Sequence, residues 1–212
     1  MSERYVCEKF VSNVRNVEQI ADFTIDRESS VANIEDKVIG LEAYLKRLAW
    51  EDDINGEVKI YLIKDIILDK VAAYFGLKAG MVVNNEYGIP SEEDKAEVLK
   101  EFNAKLVTAV TPGIELSHFA INDNYRRLAG TPTNPIMGLG AYFYPKFIYP
   151  IINDVAEKIG VKMIYLYAAG DDRLVRYYED VLGFIQSNIE DFYMPLQPGY
   201  DGGCKFMYQI LE

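Results

Sequence analysis

The chain has 212 residues, half of them apolar or aromatic, with 22 Lys and Arg against 33 Asp and Glu. This length and apolar content suffice for a substantial core, and we predict one domain over residues 1–212. The net charge of -11 argues against nucleic acid and anionic membrane as partners.

The sequence contains no apolar run of membrane length and no basic stretch followed by an apolar segment. We therefore expect a cytoplasmic protein. Its single histidine and its two distant cysteines, Cys7 and Cys204, have no metal-ligand spacing. We expect neither a metal site nor a disulfide framework.

Alternation and helical spacing predict the elements of the N-terminal half. A first strand is predicted at residues 7–13. Apolar side chains at three- and four-residue steps predict a helix at residues 29–48. Residues 58–63 and 71–77 favour strands and predict an antiparallel hairpin. A capped and strongly charged segment then predicts a helical insertion at about residues 88–104.

From residue 114 onwards, strands and helices alternate. Residues 114–121 predict a strand, and Gly138-Leu-Gly140 opens an amphipathic helix that ends at Gly160 and that Pro150 is expected to kink. A strand, a helix and a final strand are predicted at residues 161–167, 171–182 and 205–211. A glycine turn between a strand and a helix directs free backbone N–H groups at an anion, and the helix dipole adds positive potential there.

Several motifs in this order resemble the GNAT superfamily of acyl-CoA-dependent N-acyltransferases. Residues 74–79 resemble the third strand of that family, and residues 115–121 resemble the fourth, whose backbone holds the pantetheine arm. Tyr125-Arg126 is similar to the Tyr-Arg that commonly follows. Gly138-Leu-Gly140-Ala141 matches the end of the Arg/Gln-x-x-Gly-x-Gly/Ala pyrophosphate loop, and residues 174–184 resemble the helix ending in Tyr-Glu-x-x-Gly-Phe.

The resemblance covers roughly residues 58–184 and the last strand. It implies an α/β fold with a mixed central β-sheet flanked by helices, in which the fourth and fifth strands splay apart to admit acyl-CoA. It also implies an N-acyltransferase, with acetyl-CoA as the default donor. The acceptor would be a primary amine of a small molecule or of a protein, at its N-terminus or a lysine. A homodimer is left open.

The resemblance also implies which residues contact the cofactor. They are Phe119, Ala120, Ile121, Ile136, Met137, Gly138, Leu139, Gly140, Ala141 and Asp171. The sequence departs from the family in two ways: Pro135 stands where Arg or Gln is expected, and an insertion separates Arg126 from Gly138. Asp171 stands where many relatives have Asn, and the alternative is that it caps the following helix.

Tyr178 is the candidate acid, because a phenol near the cofactor sulfur can protonate the leaving thiolate. Tyr177 is a possible substitute, and a core position is the alternative for Tyr178, since its helix face is apolar. Glu115 is the candidate base, directly or through water, with a solvated strand carboxylate as the alternative. His118 is a second candidate base, but in a regular strand it faces away from Glu115. A packed, hydrogen-bonded histidine is the expected role.

Two other functions stay open from the sequence. The loss of Arg or Gln at Pro135 fits a non-catalytic acyl-CoA-binding member of the same fold. Residues 177–184 also resemble a signature of glyoxalase-like metalloenzymes. Those proteins need a His/Glu metal set and usually repeated modules, whereas this sequence has one histidine and no internal repeat.

Overall fold

A computed structural model describes residues 4–10, 14–26, 40–84, 109–131, 133–186, 193–195 and 204–211. These residues group into two compact units: Met1–Lys78 with Leu116–Pro150, and Ala79–Glu115 with Ile151–Glu212. None of the helices in the described ranges has the length and apolar character that crossing a bilayer requires.

The helices are α1 (Val14–Ala21), α2 (Leu41–Arg47), α3 (Ala49–Asn55), α4 (Asp123–Ala129), α5 (Leu139–Phe143), a π-helical turn (Tyr144–Ile148), α6 (Tyr149–Ile159) and α7 (Asp172–Asp180). The strands are β1 (Tyr5–Lys9), β2 (Lys59–Asp65), β3 (Lys70–Asn84), β4 (Ala109–Ile121), β5 (Met163–Ala168), β6 (Ile185–Gln186), β7 (Tyr193–Pro195) and β8 (Lys205–Ile210).

The described strands form one mixed sheet in the order β1-β2-β3-β4-β5-β8-β6, and β7 pairs with β3. β4 and β5 run parallel, whereas β1–β2, β2–β3, β3–β7, β5–β8 and β6–β8 are antiparallel. This is the mixed α/β sheet that the sequence predicted.

The first unit contains the predicted hairpin. β2 and β3 pair antiparallel from Lys59↔Leu77 to Asp65↔Lys70, which confirms the sequence assignment. Helices α1, α2 and α3 supply apolar residues that pack on one face of this hairpin. The buried cluster comprises Phe10, Ile20, Phe23, Tyr44, Leu45, Ala49, Val58, Ile60, Leu62, Val71, Tyr74 and Ala120.

A buried carboxylate joins the hairpin turn to α4. Asp65 Oδ2 accepts hydrogen bonds from Arg4 Nε and the Tyr125 hydroxyl, each at 2.8 Å, and Oδ1 accepts from the N–H groups of Ile67 and Leu68. Burial opposes ionisation, yet these hydrogen bonds hold the pKa of Asp65 below its ordinary value. The network fixes α4 relative to β2 within this unit.

The structure adds three short helices that the sequence analysis did not predict: α1, α3 and α4. The local signals for α4 were present, because Asn122 caps it by accepting from the Tyr125 N–H and Gly130 follows its last residue. The predicted helix at residues 29–48 lies partly outside the described residues. The predicted insertion at about residues 88–104 lies wholly outside them.

Pro150 does not produce a simple proline kink. The chain is helical from Leu139 to Ile159, but the stretch Tyr144–Ile148, which ends two positions before Pro150, is a π-helical turn. The Tyr149 N–H donates to Tyr144 O, five residues back. A π turn widens the helix and changes which carbonyl each N–H reaches, so the missing Pro150 donor is accommodated inside the helical run.

The second unit is built on β5. Its residues Met163, Ile164 and Leu166 are buried, and it pairs antiparallel with β8 from Met163↔Ile210 to Ala168↔Lys205. Asp171 begins α7 by accepting from the Arg173 N–H at 2.8 Å. The helix buries Val175 and Tyr178. Within two residues, the predicted strand and helix are confirmed.

Candidate functional site

Pairing between the two parallel strands is short. The register of β4 with β5 covers Gly113↔Met163, Ile114↔Ile164 and Glu115↔Tyr165. β4 then continues to Ile121 and β5 to Ala168. Within the described residues, this register joins the middle of β4 to the beginning of β5, and a splay beyond it stays a prediction.

The glycine turn at the start of α5 has the geometry that an anion site needs. Gly138 adopts φ +73°, and, its chain neighbours apart, no heavy atom of the described residues lies within 4 Å of the position that a Cβ would occupy there. The first helical hydrogen bond runs from the Tyr142 N–H to Gly138 O, at 3.1 Å. The N–H groups of Leu139, Gly140 and Ala141 precede it and have no acceptor within the helix. They point out of the positive end of a helical run that extends to Ile159.

Ile136 requires a correction. Its N–H donates to Arg126 O at 3.1 Å, so it is already occupied and is not a free donor for a pyrophosphate. The candidate donors from this loop reduce to Met137, Gly138, Leu139, Gly140 and Ala141.

Arg126 is the residue that the sequence analysis left without a role. Its Nε donates to Ile136 O at 3.0 Å, and its Nη1 pairs with Asp123 Oδ1 at 2.7 Å. Its Nη2 lies against the sulfur of Met137. The guanidinium therefore holds the base of the glycine turn. The Tyr125-Arg126 motif was a sequence signal for this role. The insertion between Arg126 and Gly138 separates the two in sequence, so their closeness in space could not be predicted.

A hollow of about 340 Å³ lies on α4 within the same unit, and Pro135 forms part of its lining. Its charged side chains form two pairs, Arg126 with Asp123 and Arg127 with Asp26. Because the charges cancel within each pair, the hollow is a weaker anion site than the helix terminus.

The end of β4 presents backbone donors on one edge. The Asn122 N–H donates to Ala72 O on β3, at 2.9 Å. Successive N–H groups of a strand point to alternate sides, so those of Phe119 and Ile121 point away from β3 and that of Ala120 points toward it. Phe119 and Ile121 remain candidate donors to the cofactor. The Ala120 N–H does not face that edge.

Glu115, the candidate base, is held by a hydrogen bond within the second unit. The Tyr165 hydroxyl donates to Glu115 Oε2 at 3.2 Å. Glu115 is half-buried, and its role as the base stays a prediction.

Ser117 and His118 both lie beside Gly76 of β3. His118 Nδ1 lies 2.9 Å from Ser117 Oγ, and a Cβ at Gly76 would lie 3.0 Å from each of these atoms. The expectation that Glu115 and His118 point to opposite faces of the strand stays a prediction.

His118 itself is packed. Its ring stacks on Tyr44 with centroids 3.8 Å apart and planes 8° from parallel. Burial lowers its pKa to about 4, so the imidazole is neutral at physiological pH. The packed, hydrogen-bonded histidine expected from the sequence is confirmed.

Tyr178 and Tyr177 differ in environment. Tyr178 is buried, with its ring edge-on to Phe184 at 5.7 Å, and burial raises its pKa. Tyr177 is half-buried, and its pKa is also raised by burial. Both phenols keep their protons at neutral pH, which a general acid requires. The contacts of Tyr178 also fit the core position that was its alternative.

Asp171 has the capping role that the sequence offered as its alternative. It accepts from the Arg173 N–H, and its pKa is lowered by this hydrogen bond and by the Arg173 side chain. Any contact of Asp171 with a cofactor stays a prediction. Within the described part of the chain, no three His, Cys, Asp or Glu side chains form a group suited to a metal ion.

Neither a protein-family model nor a curated protein matches the sequence. Solved structures do match. A tyrosine-to-phenylalanine mutant of the toxin AtaT, bound to acetyl-CoA and the C-terminus of the antitoxin AtaR, matches with a TM-score of 0.58 and 12% identity, over 98% of this chain and 94% of that one.

Two further structures agree. AtaT complexed with acetyl-methionyl-tRNAfMet matches with a TM-score of 0.57 and 16% identity, over 90% of this chain and 94% of that one. A tyrosine-to-phenylalanine mutant of KacT matches with a TM-score of 0.57 and 12% identity, over 98% of this chain and 95% of that one. At such identities the likeness concerns the fold alone, so this chain has the fold of these solved structures.

Proposed function

We propose that this protein is an acetyl-CoA-dependent N-acyltransferase that moves an acetyl or other acyl group to a primary amine. The observation that carries the proposal is the open helix terminus at Leu139–Phe143, preceded by a left-handed glycine and braced at its base by Arg126. The acetyl-CoA complex of the AtaT mutant, which shares the fold, supports the choice of donor.

The residues present fit a CoA diphosphate. Anions bind at helix N-termini because the first N–H groups are free and the helix dipole is positive there. The N–H groups of Leu139, Gly140 and Ala141 meet this requirement, and the part of the chain that the structure describes leaves the space beside Gly138 open. The proposal assigns the diphosphate to these groups and the pantetheine amides to the N–H groups of Phe119 and Ile121, which point away from β3, in the manner of an added strand.

The reaction needs a neutral amine, an aligned thioester and a proton for the departing sulfur. The amine nitrogen forms a bond to the acyl carbon, and the carbon–sulfur bond breaks. In the proposal, Glu115 accepts the proton lost by the amine, and the Tyr178 phenol donates one to the thiolate. Alignment of two bound reactants lowers the activation free energy by on the order of 7–11 kcal/mol. Positioning of the substrates is therefore the largest contribution that the protein makes to the rate.

The acceptor is proposed only as a class. A primary amine is required by the chemistry, and the net charge of -11 favours a cationic small molecule or peptide over a polyanion. The absence of a nucleic-acid partner stays a prediction. Because the AtaT fold neighbour forms a complex with acetyl-methionyl-tRNAfMet, an aminoacyl-tRNA belongs among the acceptors tested.

The test is an acetyl-transfer assay with isotopically labelled acetyl-CoA and a panel of primary amines: diamines, amino acids, peptides with free N-termini or lysines, and an aminoacyl-tRNA. We expect labelled amide and a stoichiometric amount of free CoA with at least one class, and a large loss of rate in Glu115→Gln. Saturable acetyl-CoA binding without transfer to any acceptor would favour the non-catalytic alternative. Absence of both binding and transfer would exclude both CoA functions.

A further inference from the structure

We infer that Tyr165 is a positioning residue that holds the Glu115 carboxylate at the last pair in the register of β4 with β5. Its catalytic meaning rests on the proposed function, in which Glu115 is the base. Glu115↔Tyr165 is the last pair in the register of the two strands, and the Tyr165 hydroxyl donates to Glu115 Oε2 at 3.2 Å. The hydrogen bond therefore links the two strands across their final paired position.

Two glycines make room for the tyrosine ring. A Cβ at Gly113 would lie 3.0 Å from Tyr165 Cδ1 and Cε1, and a Cβ at Gly80 would lie 1.7 Å from the Tyr165 hydroxyl oxygen. Any side chain at Gly80 would overlap the hydroxyl in its present position. The ring thus lies across β4 and reaches β3 because both strands carry glycine where it passes.

Packing fixes the ring in that place. Tyr165 is 5% exposed. Its ring is edge-on to Tyr167, with centroids 6.2 Å apart, and lies 5.8 Å from the Phe206 ring. Val82, Met163 and Tyr208 complete the buried cluster. A buried ring with few alternative rotamers holds its hydroxyl in one direction, so it orients the carboxylate at little entropic cost.

This arrangement has two consequences for Glu115. A hydrogen bond donated to a carboxylate favours the ionised form, which is the form that accepts a proton. It also restricts the carboxylate to one rotamer, so that the other oxygen keeps a fixed direction. Loss of the hydroxyl should therefore change the titration of Glu115 and the rate of proton transfer while leaving cofactor binding intact.

The experiment compares wild type, Tyr165→Phe, Gly80→Ala and the double variant. Tyr167→Phe is the matched control, because it removes a hydroxyl from the same strand and the same aromatic cluster. The readout is the titration of the Glu115 side-chain carboxyl carbon by NMR with labelled glutamate, assigned by its disappearance in Glu115→Gln. This readout needs neither acetyl-CoA nor activity.

We expect Tyr165→Phe to raise the Glu115 titration midpoint by roughly one pH unit, because the ionised carboxylate loses a donor. Gly80→Ala should also raise the Glu115 titration midpoint, because the added methyl group displaces the Tyr165 hydroxyl. The double variant should show no further increase over Tyr165→Phe. Tyr167→Phe should leave it unchanged. Unchanged midpoints in both Tyr165→Phe and Gly80→Ala, with native spectra, would overturn the inference.

Activity gives a second, separate readout. In an active wild-type enzyme, Tyr165→Phe should lower kcat about tenfold with an unchanged KM for acetyl-CoA, and the acid limb of the pH profile should move to higher pH. A lowered kcat with an unmoved pH profile would contradict the positioning role. If wild type acylates no amine, the proposed function fails, and the NMR titration still decides whether Tyr165 holds Glu115.

Discussion

Arg126 and Ile136 are joined by two reciprocal hydrogen bonds: the Ile136 N–H donates to Arg126 O at 3.1 Å, and Arg126 Nε donates to Ile136 O at 3.0 Å. The chain leaves at Arg126 and returns at Ile136. With that excursion set aside, Arg126 is followed in space by Ile136, Met137 and Gly138. This order reproduces the Arg-x-x-Gly-x-Gly spacing that the linear sequence interrupts, so Pro135 need not occupy the position of the family's Arg or Gln.

The brace formed by Arg126 predicts a specific loss of cofactor affinity. The substitution Arg126→Ala removes the hydrogen bond from Arg126 to Ile136 O, at the base of the glycine turn, and the ion pair of Arg126 with Asp123. Because hydrogen bonds from charged groups contribute about 1.5–3 kcal/mol, we expect acetyl-CoA to bind at least about tenfold more weakly by calorimetry. Arg127→Ala is the control, since Arg127 pairs with Asp26 instead. Equal affinities of the two variants would contradict the bracing role.

Gly138 is predicted to matter through its backbone conformation. A residue with a Cβ at φ +73° is strained by about 1–2 kcal/mol, although none of the described residues would block its side chain. Gly138→Ala should lower the free energy of unfolding by about that amount and weaken acetyl-CoA binding severalfold. Gly56, which ends α3 at φ +78° in equally open space, offers a matched control. Gly56→Ala should destabilise the protein similarly in denaturant titrations without affecting binding.

Tyr178 and Tyr177 are distinguished by a pair of substitutions. If Tyr178 donates the proton to the thiolate, Tyr178→Phe should lower kcat about 100-fold or more, with little change in acetyl-CoA affinity. Tyr177→Phe should leave kcat near the wild-type value. The reverse pattern would transfer the role to Tyr177, and wild-type turnover in both would remove these phenols from the mechanism and leave Tyr178 as a core residue.

His118 predicts a pH dependence of stability. Burial lowers its pKa from 6.5 to about 4, so between these values the unfolded chain binds a proton that the folded protein does not. Its contribution is fully present above pH 6.5 and is lost as the pH falls, by up to about 1.4 kcal/mol per pH unit. His118→Phe preserves a ring against Tyr44 and removes the titration. Denaturant unfolding at pH 7 and pH 5 should show a smaller decline for the variant; equal declines would contradict the assignment.

Much of the fold followed from local patterns. The β2–β3 hairpin, β5, α7 and β8 have strong alternation or apolar spacing, and their positions agree with the sequence within a few residues. α3 escaped prediction because it is short and acidic, and it begins directly after α2 ends. β4 begins at Ala109, upstream of its predicted start at residue 114, and Pro112 lies inside it.

The candidate site was only partly predictable, because its decisive contacts are distant in sequence. The glycine turn is a local motif and was found. The hydrogen bonds between Arg126 and Ile136 form only because the two ends of the insertion lie side by side. The place of the Tyr165 ring depends on glycines of two other strands, Gly80 of β3 and Gly113 of β4. Ser117 and His118 are neighbours in the strand, and alternation alone does not predict a contact between their side chains.

We propose that the helix terminus at Gly138 to Ala141 binds the diphosphate of acetyl-CoA. Thermal unfolding with two ligands tests this central claim most directly. Acetyl-CoA should raise the Tm, because a ligand that binds only the folded state stabilises it. Acetyl-pantetheine, which has the same thioester arm but no diphosphate, should raise it far less at equal concentration. Equal shifts with both ligands, or no shift with millimolar acetyl-CoA, would contradict the account.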